Sequence, residues 1–221
     1  MIALVLAAGY GTRMHPLTEN TPKALLKIGE RSILDSLLDK LAAPGVQARQ
    51  VVLVSNHRFA EAFQRWFAQR KTATPPPAAG PSGRPPKAEL LPAAGAGGGA
   101  IPWRVLDDGS TSDQDKLGSV GDLAFAIRQG RWEDDLLVFG SDNLFEESLE
   151  GFMEFARRKG AVTLGATELP DRKKASLYGV LSVDAQQRIT GFAEKPKDPP
   201  SSLVSTAVYF FPRTTLSLVL E

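Results

Sequence analysis

Residues 6–26 read LAAGYGTRMHPLTENTPKALL, and what this stretch can hold decides how the rest of the chain is read. The apolar run before it, residues 2–7, is short, rich in branched side chains and ends at Gly9, as a parallel strand buried on both faces would. Gly9 and Gly11 then open a turn in which backbone N–H groups can approach an anion with no side chain in the way. Arg13 adds a planar fork of donors and Lys23 a compact cation, while Pro16 and Pro22 stiffen the chain between them. The pattern is not a Walker A loop, because Lys23 lacks the preceding glycine and spacing; nor is it the dinucleotide fingerprint, which needs a third glycine. On Gly-x-Gly alone, a plain strand-to-helix turn with solvated Arg13 and Lys23 competes with the anion-binding reading.

Working outward, Ser32 is placed to cap a helix in which Ile33, Leu34, Leu37, Leu38 and Leu41 recur at three- and four-residue spacing until Pro44-Gly45 stops it. Residues 51–54 read as a second buried strand, and Phe59, Phe63, Trp66 and Phe67 as the core stripe of a second helix. Strand, helix, strand, helix predicts an α/β fold: a Rossmann-like three-layer arrangement with a mostly parallel sheet flanked by helices. Residues 74–100, TPPPAAGPSGRPPKAELLPAAGAGGGA, break the pattern. They hold too little apolar surface to offset their ordering entropy, which predicts a flexible insertion, with a lid as the less common alternative. Order resumes at Ile101. A loop carrying Asp107-Asp108-Gly109 follows, then a glycine turn entering a helix at 116–127, and a strand at 135–139 that ends in Gly140-Ser141-Asp142-Asn143. A helix over 145–159, a strand over 161–166, a hairpin of 179–183 with 188–192 and a last strand over 203–211 complete the expectation.

Composition narrows the function classes. The 221 residues, 43% hydrophobic, suffice for one domain spanning 1–221. A net charge of +1 with no dense basic block argues against a nucleic-acid footprint. No apolar run approaches the roughly 20 residues of a membrane span, and the N-terminus lacks the basic region of a signal peptide. With no cysteine, disulfides and thiolate metal sites are excluded, and a cytoplasmic setting is the natural expectation. His57 has no second His and no Ser or Cys partner, so it reads as structural.

The full string L-x-A-G-x-G-T-R-M-x-P-L-T-x4-P-K-A-L-L resembles the N-terminal signature of the sugar-1-phosphate nucleotidyltransferases, or nucleotide-sugar pyrophosphorylases. Five further segments, in the same order, extend the resemblance over nearly the whole chain outside the insertion. Gly118-Ser119-Val120-Gly121-Asp122 resembles the family's second glycine segment, Gly140-Ser141-Asp142-Asn143 its Gly-Asp-Asn metal motif, and Tyr178-Gly179-Val180 its sugar-contacting Tyr-Gly-Val. Glu194-Lys195-Pro196 matches its Glu-Lys-Pro, and residues 204–211 resemble the following strand, with Ala207 where the family usually has glycine.

The resemblance implies a Mg²⁺-dependent reaction between a nucleoside triphosphate and a sugar 1-phosphate. The sugar-phosphate oxygen attacks the α-phosphorus in line and pyrophosphate leaves, so the protein's task is positioning and charge neutralisation. It implies Arg13 and Lys23 as catalytic cations and Leu6, Ala8, Gly9, Gly11, Thr12 and Gly121 around the nucleotide. Gly179, Glu194 and Lys195 are implied on the sugar phosphate, and Asp142 on the metal. Asp142 as a cap of the next helix, and Lys195 as a solvated loop lysine, are the competing readings. A glutamine that reads the base in some family members falls in the region 106–111, where Asp108 is a candidate acceptor for an amino group of guanine or cytosine.

One family feature is missing. A second metal-binding Asp is expected beyond the last strand, yet the chain ends at Glu221, and downstream of Lys195 only Asp198 is acidic before that end, too early to match. A C-terminally truncated form, which should bind Mg²⁺·triphosphate less well, is therefore expected. The alternatives are a cytidylyltransferase acting on phosphocholine, for which the aromatics Tyr178, Phe192 and Tyr209 are few, and a non-catalytic nucleotide-binding subunit. A molybdenum-cofactor guanylyltransferase fits less well, lacking Glu-Lys-Pro. No nucleic acid or membrane partner is expected, and a homo-oligomer is compatible with the sequence.

Overall fold

The computed structural model describes residues 1–46, 48–69 and 101–221; the insertion expected at 74–100 lies outside them. In chain order they form β1 (Ile2–Leu6), the two-residue strands β2 (Lys27–Ile28) and β3 (Arg31–Ser32), α1 (Ile33–Leu41), β4 (Gln50–Ser55) and α2 (His57–Gln69). Then come β5 (Trp103–Asp107), α3 (Gly118–Gly130), β6 (Leu136–Gly140), α4 (Glu150–Lys159), β7 (Thr163–Glu168), β8 (Gly179–Val183), β9 (Ile189–Glu194) and β10 (Leu203–Phe211). Short 3₁₀ turns occupy Thr12–Met14, Lys23–Leu25, Arg172–Leu177 and Arg213–Val219.

Eight strands make one sheet in the order β5-β4-β1-β6-β10-β8-β9, with β7 on β10. The β5, β4, β1 and β6 ladder is parallel; β10 runs antiparallel to β6, β7 and β8, and β8 to β9. The sheet is thus mixed, with its parallel half built from the N-terminal strands. Alternation along the parallel strands feeds two cores. Ala3, Val5, Val51, Leu53, Leu137 and Phe139 pack under α1, α2 and α4, whose Leu34, Phe63 and Met153 are fully buried. Ile2, Leu4, Val52, Val54, Leu136 and Val138 pack under Leu123, Ala126 and Ile127 of α3. Burial on both faces explains why these strands read as unbroken apolar runs.

Capping sets the helix starts. The Ser32 hydroxyl accepts from Asp35 N at 3.0 Å while Asp35 Oδ2 accepts from Ser32 N at 2.9 Å, a capping box. Asn56 Oδ1 accepts from Phe59 N at 3.0 Å at the head of α2. The helix expected from residue 145 starts only at Glu150. Phe145 is drawn edge-on to Phe139 (6.2 Å between rings), and the Glu146 carbonyl accepts from Lys40 Nζ at 2.7 Å, so 145–149 take an irregular path first.

Chain order places a switch point in this sheet. From β1 the chain moves through β4 to β5 on one side, then crosses to β6 on the other side of β1. A crevice therefore opens beyond the carboxyl ends of β1 and β6, the place where open α/β sheets bind ligands.

Candidate active site

The ladder continues briefly past the strands. Ser141 N donates to Leu6 O (3.1 Å) and Ala7 N to Val54 O (2.8 Å), so the chain after β1 and the chain after β6 leave the sheet side by side. The bend begins at buried Ala8, whose carbonyl accepts from Asn56 Nδ2 at 2.9 Å. Gly11 has φ +63°, the left-handed region, and its carbonyl accepts from the buried Thr18 hydroxyl at 2.7 Å. A Cβ on Gly11 would meet the Thr18 side chain at 3.0 Å, so glycine is required here on two counts. Among the described residues, no acceptor takes the backbone N–H groups of Gly9, Tyr10, Gly11, Thr12 or Arg13. A run of free donors on one bend is what an anion-binding nest requires. Arg13, on the turn Thr12–Met14, is exposed and makes no ion pair among the described residues.

Lys23 crosses the seam. Its Nζ lies 2.7 Å from Asp142 Oδ2, joining the last cation of the opening signature to the acid that follows β6. Both groups are partly open to solvent, with 35% and 49% of their side chains exposed. The capping alternative for Asp142 falls away, because α4 begins at Glu150 and Leu149 occupies its cap position. The floor here is tight: a Cβ on Gly140 would meet Asn143 Nδ2, the Ala207 methyl and Asp142 Oδ1 at 3.2 to 3.3 Å. Ala207 takes φ +52°, so the left-handed conformation is kept at the position where the resemblance expects glycine.

One wall of the crevice is the loop after β5. Tyr10, buried in the bend, donates its hydroxyl to Ser110 O at 2.8 Å, and His57 N donates to the same carbonyl at 3.0 Å. His57 Nδ1 is 2.7 Å from Asp107 Oδ2, and that carboxylate holds the imidazole pKa above its ordinary value. Asp108 is tied to its own loop. Its Oδ1 accepts from both N and Oγ of Ser110 at 2.7 Å, and its Oδ2 is buried. Its partner is Asp122 of α3, whose carboxyl is pushed up to about 7 by burial and then by the charge and hydrogen bond of Asp108. Gly121 lies in the first turn of α3, where a Cβ would meet Leu117 Cβ at 2.8 Å.

The other wall comes from the antiparallel half. β10 passes Phe139 at Val208 and runs on beyond β6, where Val204 pairs with Val180 of β8. Gly179 and Glu194 are direct cross-strand partners there. A Cβ on Gly179 would meet the Phe192 ring at 2.6 Å and Glu194 Oε2 at 3.2 Å. Lys195 has φ +43° and donates its N–H to Tyr178 O at 3.0 Å, while its Nζ is 2.9 Å from Glu194 Oε1. Among the described residues no bond links this wall to Asp142. Asp198 stands apart, fully exposed and 4.0 Å from Arg172.

Thr18, Asn56, Tyr10 and Asp122 are support residues that sequence reasoning did not single out. Only Asn56 carried a local signal, a capping residue one position before a helical stripe.

The sequence model of the nucleotidyl transferase family matches residues 2–221. The chain is 27% identical to a putative mannose-1-phosphate guanyltransferase of Sulfolobus acidocaldarius, over 98% of this chain and 50% of that protein. It is 28% identical to a UTP–glucose-1-phosphate uridylyltransferase of Haloferax volcanii, over 96% of this chain and 72% of the relative. It thus spans about half the length of the first of these relatives. A crystal structure of UDP-glucose pyrophosphorylase complexed with UDP-glucose superposes with a TM-score of 0.72 at 16% identity, over 98% of this chain and 78% of that one. That likeness is of fold.

Proposed function

The chain belongs to the nucleotidyl transferase family, and from that premise we propose that it transfers a nucleoside monophosphate from a nucleoside triphosphate to a sugar 1-phosphate, giving a nucleotide sugar and pyrophosphate. The observation that carries the reading is the Lys23–Asp142 pair at the switch point, beside the free N–H groups of 9–13. A cation, a carboxylate and an anion nest within one crevice suit the meeting of two polyanions. The acceptor is read as a sugar 1-phosphate, not phosphocholine, because both relatives above carry sugar-1-phosphate names. Their names differ in base, so the base stays open.

The nest would hold the β- and γ-phosphates, with the exposed Arg13 guanidinium closing over the pyrophosphate as it leaves. Glu194 would accept from sugar hydroxyls, and Lys195 would turn from Glu194 to the sugar phosphate. The attacking phosphate oxygen forms its bond to the α-phosphorus as the bridging bond to pyrophosphate breaks; no covalent enzyme intermediate is needed. The donor set fits Mg²⁺: Asp142 offers a half-exposed carboxylate, and no cluster of three acidic or histidine groups surrounds it among the described residues. Phosphate oxygens and water would complete its shell, as Mg²⁺ prefers. When bound, the ion would neutralise charge on the phosphates. No described helix is long and apolar enough to cross a membrane, and a cytoplasmic setting, where nucleoside triphosphates are abundant, suits the reaction.

The test is pyrophosphate release from a panel of nucleoside triphosphates and hexose 1-phosphates with Mg²⁺. One productive pair identifies base and sugar together. Nucleotide binding without pyrophosphate from any pair would overturn the enzymatic reading.

A further inference from the structure

Asp122 is the buried acid that the proposed chemistry leaves unused. It is 5% exposed, sits on α3 just after Gly121, and among the described residues has no N–H or O–H partner on its Oδ1. Asp108 Oδ2 is likewise buried and without a donor among the described residues, although Asp108 Oδ1 is doubly bonded to Ser110. The two carboxyls are within hydrogen-bonding reach of each other. An ionised carboxylate is only an acceptor, so two facing carboxylates satisfy neither buried oxygen; a single proton between them satisfies both. We propose that Asp108 and Asp122 share one proton, that this shared proton latches the loop after β5 to α3, and that its loss releases the loop.

The latch reaches the nest through one further contact. Ser110, fixed by Asp108, supplies the carbonyl on which the Tyr10 hydroxyl of the glycine bend and the His57 N–H both rest. Asp108 and Asp122 are thus positioning residues. The other ionisable groups nearby are committed elsewhere. Asp107 pairs with His57, Asp115 accepts from the backbone N–H groups of Thr111 and Ser112, and Arg58 bonds the Glu19 carbonyl. The strands β1, β4 and β6 beneath α3 carry no ionisable side chain. On β5, partly buried Arg104 makes no ion pair among the described residues; α3 itself carries Arg128, and the turn packed against it carries Arg213. Among the described residues only Asp108 acts on the Asp122 carboxyl, and burial acts in the same direction, so nothing opposes proton retention up to about neutral pH.

The test follows the proton in the free protein. Carboxyl-carbon NMR of the pair should show one titration near neutrality, and amide-exchange protection of 108–111, corrected for intrinsic rates, should fall about tenfold between about pH 6 and pH 8.5. Asp122→Asn supplies a permanent donor and should hold that protection flat across the range. If it does not fold, Asp108→Asn offers the same donor from the other side, and the wild-type titration stands alone. Two carboxyls that both ionise below about pH 5, or protection that falls in parallel in wild type and Asp122→Asn, would overturn the latch. The consequence for nucleotide rests on the proposed function: wild-type triphosphate affinity should weaken over the same range and that of Asp122→Asn should not. A chain with the expected titration and protection but no triphosphate binding at any pH supports the latch and counts against the functional reading.

Discussion

Lys23 Nζ sits 2.7 Å from Asp142 Oδ2, so in the free protein an ammonium occupies the carboxylate proposed to bind the metal. The two cannot keep that contact once a divalent ion is bound there, and Lys23 is then free to turn to the phosphates. Lys23→Met should therefore tighten Mg²⁺ or Mn²⁺ binding to the free chain, read by titration calorimetry, while lowering kcat by about 10²–10³ as a transition-state contact is lost. Asp142→Asn should abolish metal binding at that carboxylate. A Lys23→Met chain with unchanged metal affinity would break the link between the two.

Gly11 is constrained twice, by φ +63° and by Thr18 at 3.0 Å from any added Cβ. Gly11→Ala should cost about 1–2 kcal/mol in stability and weaken triphosphate binding together, since the strain falls on the nest itself. Gly9, with open space around it, should accept alanine with far less effect on stability. Equal losses at both positions, measured by urea denaturation, would contradict the geometry.

Gly179→Ala makes a different prediction. The clash at 2.6 Å is with the tip of the Phe192 ring, which is 56% exposed and free to swing, so stability should change little. The moving ring and the nearby Glu194 Oε2 belong to the wall proposed to face the sugar phosphate. The expected result is a KM for sugar phosphate raised about tenfold with the KM for triphosphate unchanged. A rise in both would place Gly179 elsewhere in the chemistry.

How far the sequence reveals this arrangement depends on whether the signal is local. The unbroken apolar runs of β1, β4 and β6 declare strands buried on both faces, and Ser32 declares its helix, because each cause lies within a few residues. β5 is not legible: Arg104 interrupts its apolar pattern. The late start of α4 depends on Phe139 and Lys40, remote in sequence from residue 145. At the site, Arg13, Lys23 and Asp142 are visible as charges flanking glycine turns. The inward turn of Asp108 is not, because the partner that buries it arrives from α3. An Asp on a helix reads as solvated until the loop packed over it is known.

Ala207 holds φ +52° with a side chain that disfavours it, where the resemblance expects glycine. A left-handed non-glycine residue costs about 1–2 kcal/mol, against about 0.5–1 kcal/mol of extra chain entropy for glycine, so Ala207→Gly should be neutral to stabilising by up to about 1 kcal/mol. For a chain of this size that is a rise of up to about 4 °C in Tm. The methyl also packs against Gly140 beside Asp142, so its removal should not impair metal binding. A fall in Tm beyond about 2 °C would show that contact to outweigh the strain.

Stability should carry the signature of Asp122 even without substrate. Its folded pKa, about 7, lies above its unfolded value of 3.8, so the native state holds a proton that the unfolded chain has lost between those limits. The stabilisation is complete below about pH 4 and declines as pH rises toward 7, where the folded group also ionises and the decline levels off. Each pKa unit is worth about 1.4 kcal/mol, so the total is at most a few kcal/mol. Asp122→Asn removes this slope: relative to wild type it should gain stability steadily from about pH 4 to pH 7 and hold a constant difference above. Urea midpoints at closely spaced pH values give the comparison directly. A difference between the two proteins that does not change with pH would mean that Asp122 is already ionised in the folded chain.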